Sequence, residues 1–131
     1  KFAFDRVTAD PEPPSEDYTI RLLTGRGSSA QWHTQTRTGK SALLRKLGPK
    51  QNYVEVHPAD AISLGIVSGD LITVASRRGE IRIRSFVTPS VQEGTVYIPM
   101  HEESTNRLPL ASFGPHSHQP SYKSCAVHLK A

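Results

Sequence analysis

Apolar and polar residues alternate along this chain in short bursts rather than in long stripes. Tyr18 to Thr24 is a β-rich run that stops at Gly25. Tyr53 to His57 and Leu71 to Ala75 read as strands, and Glu80 to Val87 alternates strictly. In that last run Ile81, Ile83 and Val87 face one way, and Arg82 and Arg84 the other. Ile72 and Val74 are the expected inward neighbours of Ile81 and Ile83 across a hairpin turning at Arg78-Gly79. Gly94 to Pro99 is a further strand, and Ser124 to Leu129 alternates again and should close the sheet.

Two segments carry helical signals. Ser41 to Leu47 has apolar residues at 43, 44 and 47, the spacing of one helix face, and Gly48-Pro49 ends it. Pro58 to Leu64 begins with proline and is followed by Gly65, the usual asymmetry of a helix start and stop. At least five short strands with two short helices predict a mainly β fold, a small barrel. No internal repeat is visible.

Between these elements lie two polar loops and a leader. Residues 9–17, ADPEPPSED, hold three prolines and four acids and read as extended and poorly structured. The loop from Gly25 to Gly39 is rich in Gly, Ser, Thr and Gln, and loops of this length tend to be functional or mobile. Residues 101–121 are irregular and rich in His, Pro and Ser.

Composition narrows the class without choosing a function. The 131 residues fit one domain, and 36% hydrophobic with 21% charged residues is a globular balance. No apolar run approaches the roughly 20 residues that span a bilayer. Lys1 to Arg6 lack the apolar core of a signal peptide, and a start at Lys1 suits an excised domain or a trimmed product. The single cysteine, Cys125, excludes an internal disulfide and a cysteine cage for a metal. It sits on an alternating strand and reads as a buried structural thiol. The net charge of +4 could attract any polyanion, but the arginines are too scattered for a nucleic-acid arm.

Three places carry candidate chemistry. Thr24-Gly25-Arg26 ends a strand where glycine lets a ligand approach and an Arg fork suits a phosphate. From three residues alone an ordinary turn with a solvated Arg is the stronger reading. Trp32-His33-Thr34 and the residues after it put an aromatic, an imidazole and hydroxyls into one loop. That loop reads equally as a binding surface or as a tryptophan anchor with solvated neighbours. His116-Ser-His118 is a surface loop before it is a metal site, and no catalytic triad ordering stands out.

Three blocks in order go further: LLTGRGSSAQWHTQTRTGKS, then VEVHPADAISLGIVSGDLITVASRRGEIRIRSFVTPSVQEGTVYIPMH, then TNRLPLASFGPHSHQPSYKSCAVHL. Together they resemble the molybdopterin-dinucleotide-binding domain that closes molybdenum oxidoreductases of the dimethyl sulfoxide reductase superfamily. The TGR…WHT pair, TNRL and the closing QPxYKxCAV are similar to the nitrate reductase branch. The resemblance covers residues 18–131 and leaves residues 1–17 as a flexible leader. It implies a double-psi β-barrel and a cofactor of molybdenum held by two pterin guanine dinucleotides, with an iron–sulfur cluster in another domain. It implies cofactor contacts at Thr24, Gly25, Arg26, Trp32, His33, Thr34, Asn106 and Lys123, and places His101 near the substrate funnel. Thr24 to Arg26, Asn106 and Lys123 should then converge on one rim. No catalytic residue and no metal ligand is expected in this chain, so Cys125 is not the molybdenum ligand. The implied whole is a cytoplasmic nitrate reductase, whose catalytic domains and electron donor are the partners, with no nucleic acid or membrane. A formate dehydrogenase of the same superfamily and a free-standing barrel module are the competing readings.

Overall fold

The computed structural model describes residues 9–27, 35–114 and 118–131. Six strands close into a barrel: β1 (Ile20–Gly25), β2 (Tyr53–Val56), β3 (Leu71–Ser76), β4 (Gly79–Val87), β5 (Thr95–Pro99) and β6 (Ser124–Lys130). Their order around the barrel is β1-β5-β2-β4-β3-β6. β1 pairs parallel with β5 and β2 parallel with β4, while the remaining neighbours are antiparallel. Hence β1, β3 and β5 run one way and β2, β4 and β6 the other. Exchanging the first three strands with the last three maps this order onto itself. Each half inserts one strand between two consecutive strands of the other: β5 lies between β1 and β2, and β2 lies between β4 and β5. This is the double-psi β-barrel.

The core is what the alternation predicts. Leu22, Val54, Val56, Ile72, Val74, Val96, Ile98 and Val127 are fully buried, and Ile81 and Ile83 join them. The β3–β4 hairpin has the expected register, Ile72 opposite Ile83 and Val74 opposite Ile81. Cys125 is buried on β6, and burial pushes its thiol up to about 11 despite the opposing Arg78 charge.

Both helices form where apolar spacing, proline and glycine place them. In α1 (Ala42–Leu47) the Ser41 hydroxyl accepts from Leu44 N at 3.3 Å. In α2 (Pro58–Leu64) Pro58 opens the first turn, and Gly65 at φ 66° makes the left-handed turn that ends it. Asp60 of α2 accepts from Gly94 N at 2.8 Å and so ties the helix to the start of β5.

Two features go beyond what the sequence pattern showed. The apolar face of α1 does not enter the core: Leu43 and Leu47 are 67% and 68% exposed. This helix is short and packs beside the 3-10 turn Thr38–Lys40, not over a barrel opening. The described part of the leader is not loose. Glu12 is only 6% exposed and accepts from both Arg77 and Arg78, while Asp10 pairs with Arg21 and accepts from Ser124. Two of its four acids, Asp10 and Glu12, thus pair with three arginines, Arg21, Arg77 and Arg78.

Candidate functional site

One end of the barrel gathers the ends of β1, β3 and β5 and the starts of β2, β4 and β6. The pairing puts Leu23 beside Ser124 and Gly25 beside Pro99. Thr24 to Arg26, Met100-His101 and Tyr122-Lys123 therefore meet on this rim, although they are far apart in sequence.

Short hydrogen bonds fix the meeting. Thr24 is buried; its Oγ1 donates to the Tyr122 carbonyl at 2.6 Å and its N–H donates to the Lys123 carbonyl at 3.1 Å. The Gly25 carbonyl accepts from Met100 N at 2.8 Å, and the Tyr97 hydroxyl donates to the Arg26 carbonyl. A Cβ on residue 25 would lie 2.7 Å from that hydroxyl, so glycine is needed here for packing within the rim. Sequence reasoning assigned this glycine to ligand approach and missed the tyrosine beneath it. Only the side chain of Tyr97 on the neighbouring strand reveals it.

His101 was expected near a substrate funnel, and it sits on this rim. Its Nε2 accepts from Gly27 N at 2.8 Å, so the proton of the neutral ring is on Nδ1. Nδ1 is buried with no hydrogen-bond partner among the described residues. Burial holds the ring below the usual histidine range, and Arg26 adds to this while Glu102 opposes it. A neutral ring suits its task, because protonation would turn Nε2 into a second donor facing Gly27 N–H.

Asn106 reaches the same end on the 3-10 turn Glu103–Arg107. Thr105 beside it is fully buried, accepts from Asn52 Nδ2 at 3.0 Å and donates to the Pro99 carbonyl at 3.3 Å. Arg26, Asn106 and Lys123 are all exposed. The three sequence-distant places thus lie at one end of the barrel. Trp32, His33 and Thr34 lie outside the described residues.

A cavity of about 220 Å³ lies beside the rim, lined by Gln35, Thr38, Arg45, Lys50 and Glu102 among others. The Thr38 hydroxyl is buried there without a partner among the described residues. Nothing in the sequence pattern singled out this group; Arg45 and Lys50 were part of a scattered positive charge. Two unpartnered buried donors, on His101 and Thr38, and cations at positions 26, 45, 50 and 123 form a donor set for a polyanion that also bears polar rings. A pterin dinucleotide, with its phosphates and purine, has that chemistry, and the residues present fit it. Among the described residues no group of three or more His, Cys, Asp or Glu could hold a metal.

The barrel and its donor-rich rim define a cofactor-binding class of domain. Residues 20–126 match the Molydopterin dinucleotide binding domain family, and the chain belongs to it. A nitrate reductase of Symbiobacterium thermophilum is 37% identical over 138 residues, covering 97% of this chain and 18% of that protein. The F420-dependent formate dehydrogenase 1 subunit alpha of Methanococcus maripaludis is 34% identical, covering 98% of this chain and 19% of its own length. The assimilatory nitrate reductase catalytic subunit of Bacillus subtilis is 32% identical, over 90% of this chain and 17% of that one. The chain therefore spans about a fifth of the relatives it matches. Among solved structures, acetylene hydratase from Pelobacter acetylenicus shares the fold, with a TM-score of 0.70 at 19% identity over 87% of this chain and 18% of that one. No helix among the described residues is long and apolar enough to cross a membrane.

Proposed function

We propose that this chain is the dinucleotide-gripping domain of a molybdenum nitrate reductase, with two pterin guanine dinucleotides as the organic part of its cofactor. The observation that supports the cofactor contact is the rim itself, where Thr24 to Arg26, His101 and Lys123 meet, with Asn106 at the same end of the barrel. Arg26 offers a forked contact to phosphate, Lys123 a point charge, and Asn106 both donates and accepts. The molybdenum, when bound, supplies the oxygen-atom transfer that reduces nitrate to nitrite. Its ligand, an iron–sulfur cluster and the contact to an electron donor belong to other domains in this reading. The cytoplasm is the proposed compartment; a single buried, unpaired cysteine is compatible with it.

The nitrate assignment is supported by the TGR, TNRL and QPxYKxCAV blocks and by two nitrate reductases among the relatives. A formate dehydrogenase is the second reading, favoured by the archaeal alpha subunits at 34% and 35% identity. The full-length enzyme carrying this domain decides between them. Nitrite formation with a reduced dye is expected. Formate-dependent dye reduction without nitrite formation would replace nitrate with formate. In the same enzyme R26A and K123A should each weaken cofactor retention by about 1.5–3 kcal/mol, the worth of a charged hydrogen bond. Full molybdenum content in both variants would remove these residues from the site.

A further inference from the structure

Asn106 does not hold its place unaided. On one side Thr105 is bolted to Pro99 and Asn52. On the other, the carbonyl of fully buried Leu108 accepts from Arg78 Nε at 2.9 Å. The two remaining edges of that guanidinium grip the leader: Nη1 donates to Glu12 Oε1 at 2.9 Å and Nη2 donates to Oε2. Glu12 Oε1 also accepts from Arg77 Nη1 at 3.1 Å, and Arg77 in turn lies over the Tyr18 ring and reaches Ser15.

We propose that Glu12 and Arg78 are positioning residues for the cofactor, a brace that runs from the leader across the β3–β4 turn to the backbone carrying Asn106. The proposal rests on the reading above that Asn106 meets the dinucleotide. A guanidinium is rigid and planar, so fixing its fork on Glu12 also fixes the direction of its Nε–H. That N–H then anchors the Leu108 carbonyl. With Glu12 neutral the fork loses its charged acceptor, Arg78 turns toward water and the Leu108 carbonyl is released. A binding constellation needs its supporting shell held to about 0.5 Å, which a free 3-10 turn does not provide.

The test uses the full-length holoenzyme with E12Q, R78K, N106A and the E12Q/N106A pair. Two quantities are measured: hydrogen exchange at the amides of residues 104–108, and molybdenum and guanine nucleotide kept after gel filtration. E12Q should speed exchange of the Thr105 and Leu108 amides about tenfold and lower retention. R78K keeps the charge but has no fork, and should behave like E12Q. N106A should lower retention without changing exchange at its neighbours. The double variant should lose no more than the worse single one, because a misplaced Asn106 is already out of use. A merely structural Glu12 would instead give additive losses, and that outcome overturns the proposal. Unchanged exchange in both E12Q and R78K also overturns it, even where N106A loses cofactor. Full retention in N106A would strike Asn106 from the site and with it the purpose of the brace, whatever the exchange shows. Should E12Q not fold, R78K decides by the same comparison.

Discussion

Replacing Thr24 with valine removes one hydroxyl and keeps the branched shape that suits a strand. Thr24 was expected to touch the cofactor; the structure gives its proton to the Tyr122 carbonyl at 2.6 Å. If that bond is what seats Tyr122-Lys123 on the rim, T24V should damage the rim before any ligand binds. A buried hydrogen bond contributes about 1 kcal/mol net, and leaving a partner unsatisfied costs about 1–3 kcal/mol. Tyr122 is 51% exposed, so its carbonyl recovers some water, and the added methyl gains about 0.8 kcal/mol. These terms place the loss at about 1–2 kcal/mol.

For 131 residues the unfolding entropy is about 0.28 kcal/mol/K, so the melting temperature should fall by about 4–7 °C. Circular dichroism at neutral pH measures it on the chain. T24S keeps the hydroxyl and loses one methyl, and should fall by only about 3 °C. In the full enzyme T24V should also lose cofactor while T24S retains it. A T24V melt within a degree of the parent, or a T24S melt lower than that of T24V, would refute the anchoring role.

Other outcomes follow from the same rim and core. Because the folded His101 resists protonation, the unfolded chain takes up the extra proton as pH falls below about 6.5. The stability it contributes is present above that range and lost as pH falls, so urea midpoints should drop more steeply from pH 7.5 to 5.5 in the parent than in H101Q. With its thiol at about 11, Cys125 should react with iodoacetamide at pH 8 at least about a hundredfold slower in the folded chain than in guanidinium. G25A should cost about 1–3 kcal/mol by overpacking Tyr97, and clearly less in a Y97F background; equal costs in denaturant melts would show that the hydroxyl contact is not the obstacle.

The barrel was legible where one strand's own alternation decides the answer. Ile81 and Ile83 could be turned inward because Arg82 and Arg84 between them could not be. The helix at Pro58 to Leu64 was legible because both of its punctuation marks are local. What failed needed partners remote in sequence. The leader looked solvated because the arginines that bury Glu12 lie 65 and 66 residues away. The leucines of α1 announced an apolar face, but periodicity does not say what covers it. The parallel β1–β5 and β2–β4 pairs leave no mark in a pattern of period two. That Arg26, Asn106 and Lys123 stand at one end of the barrel was inferred from family resemblance, since three polar residues in three loops carry no signal of a common place.

The leader also changes how the positive charge should be understood. A net charge of +4 made every polyanion an equal candidate while the arginines were counted as scattered. Arg77 and Arg78 stand on the turn between β3 and β4, at the same end of the barrel as Arg26 and Lys123. A bare rim would present cations on both flanks, and a doubly charged pyrophosphate could settle on either. Glu12 occupies the β3–β4 flank with its own carboxylate, and its ordinary pKa is lowered chiefly by the hydrogen bond from Arg78, so it stays ionised at neutral pH. Asp10 pairs with Arg21, near the start of β1 and so away from the rim that holds Arg26. The acidic leader thus occupies the arginines whose positions are needed for architecture. Apart from those pairs, Thr24 fixes the backbone of Lys123 and Gly27 fixes the ring of His101 on the β1–β6 side.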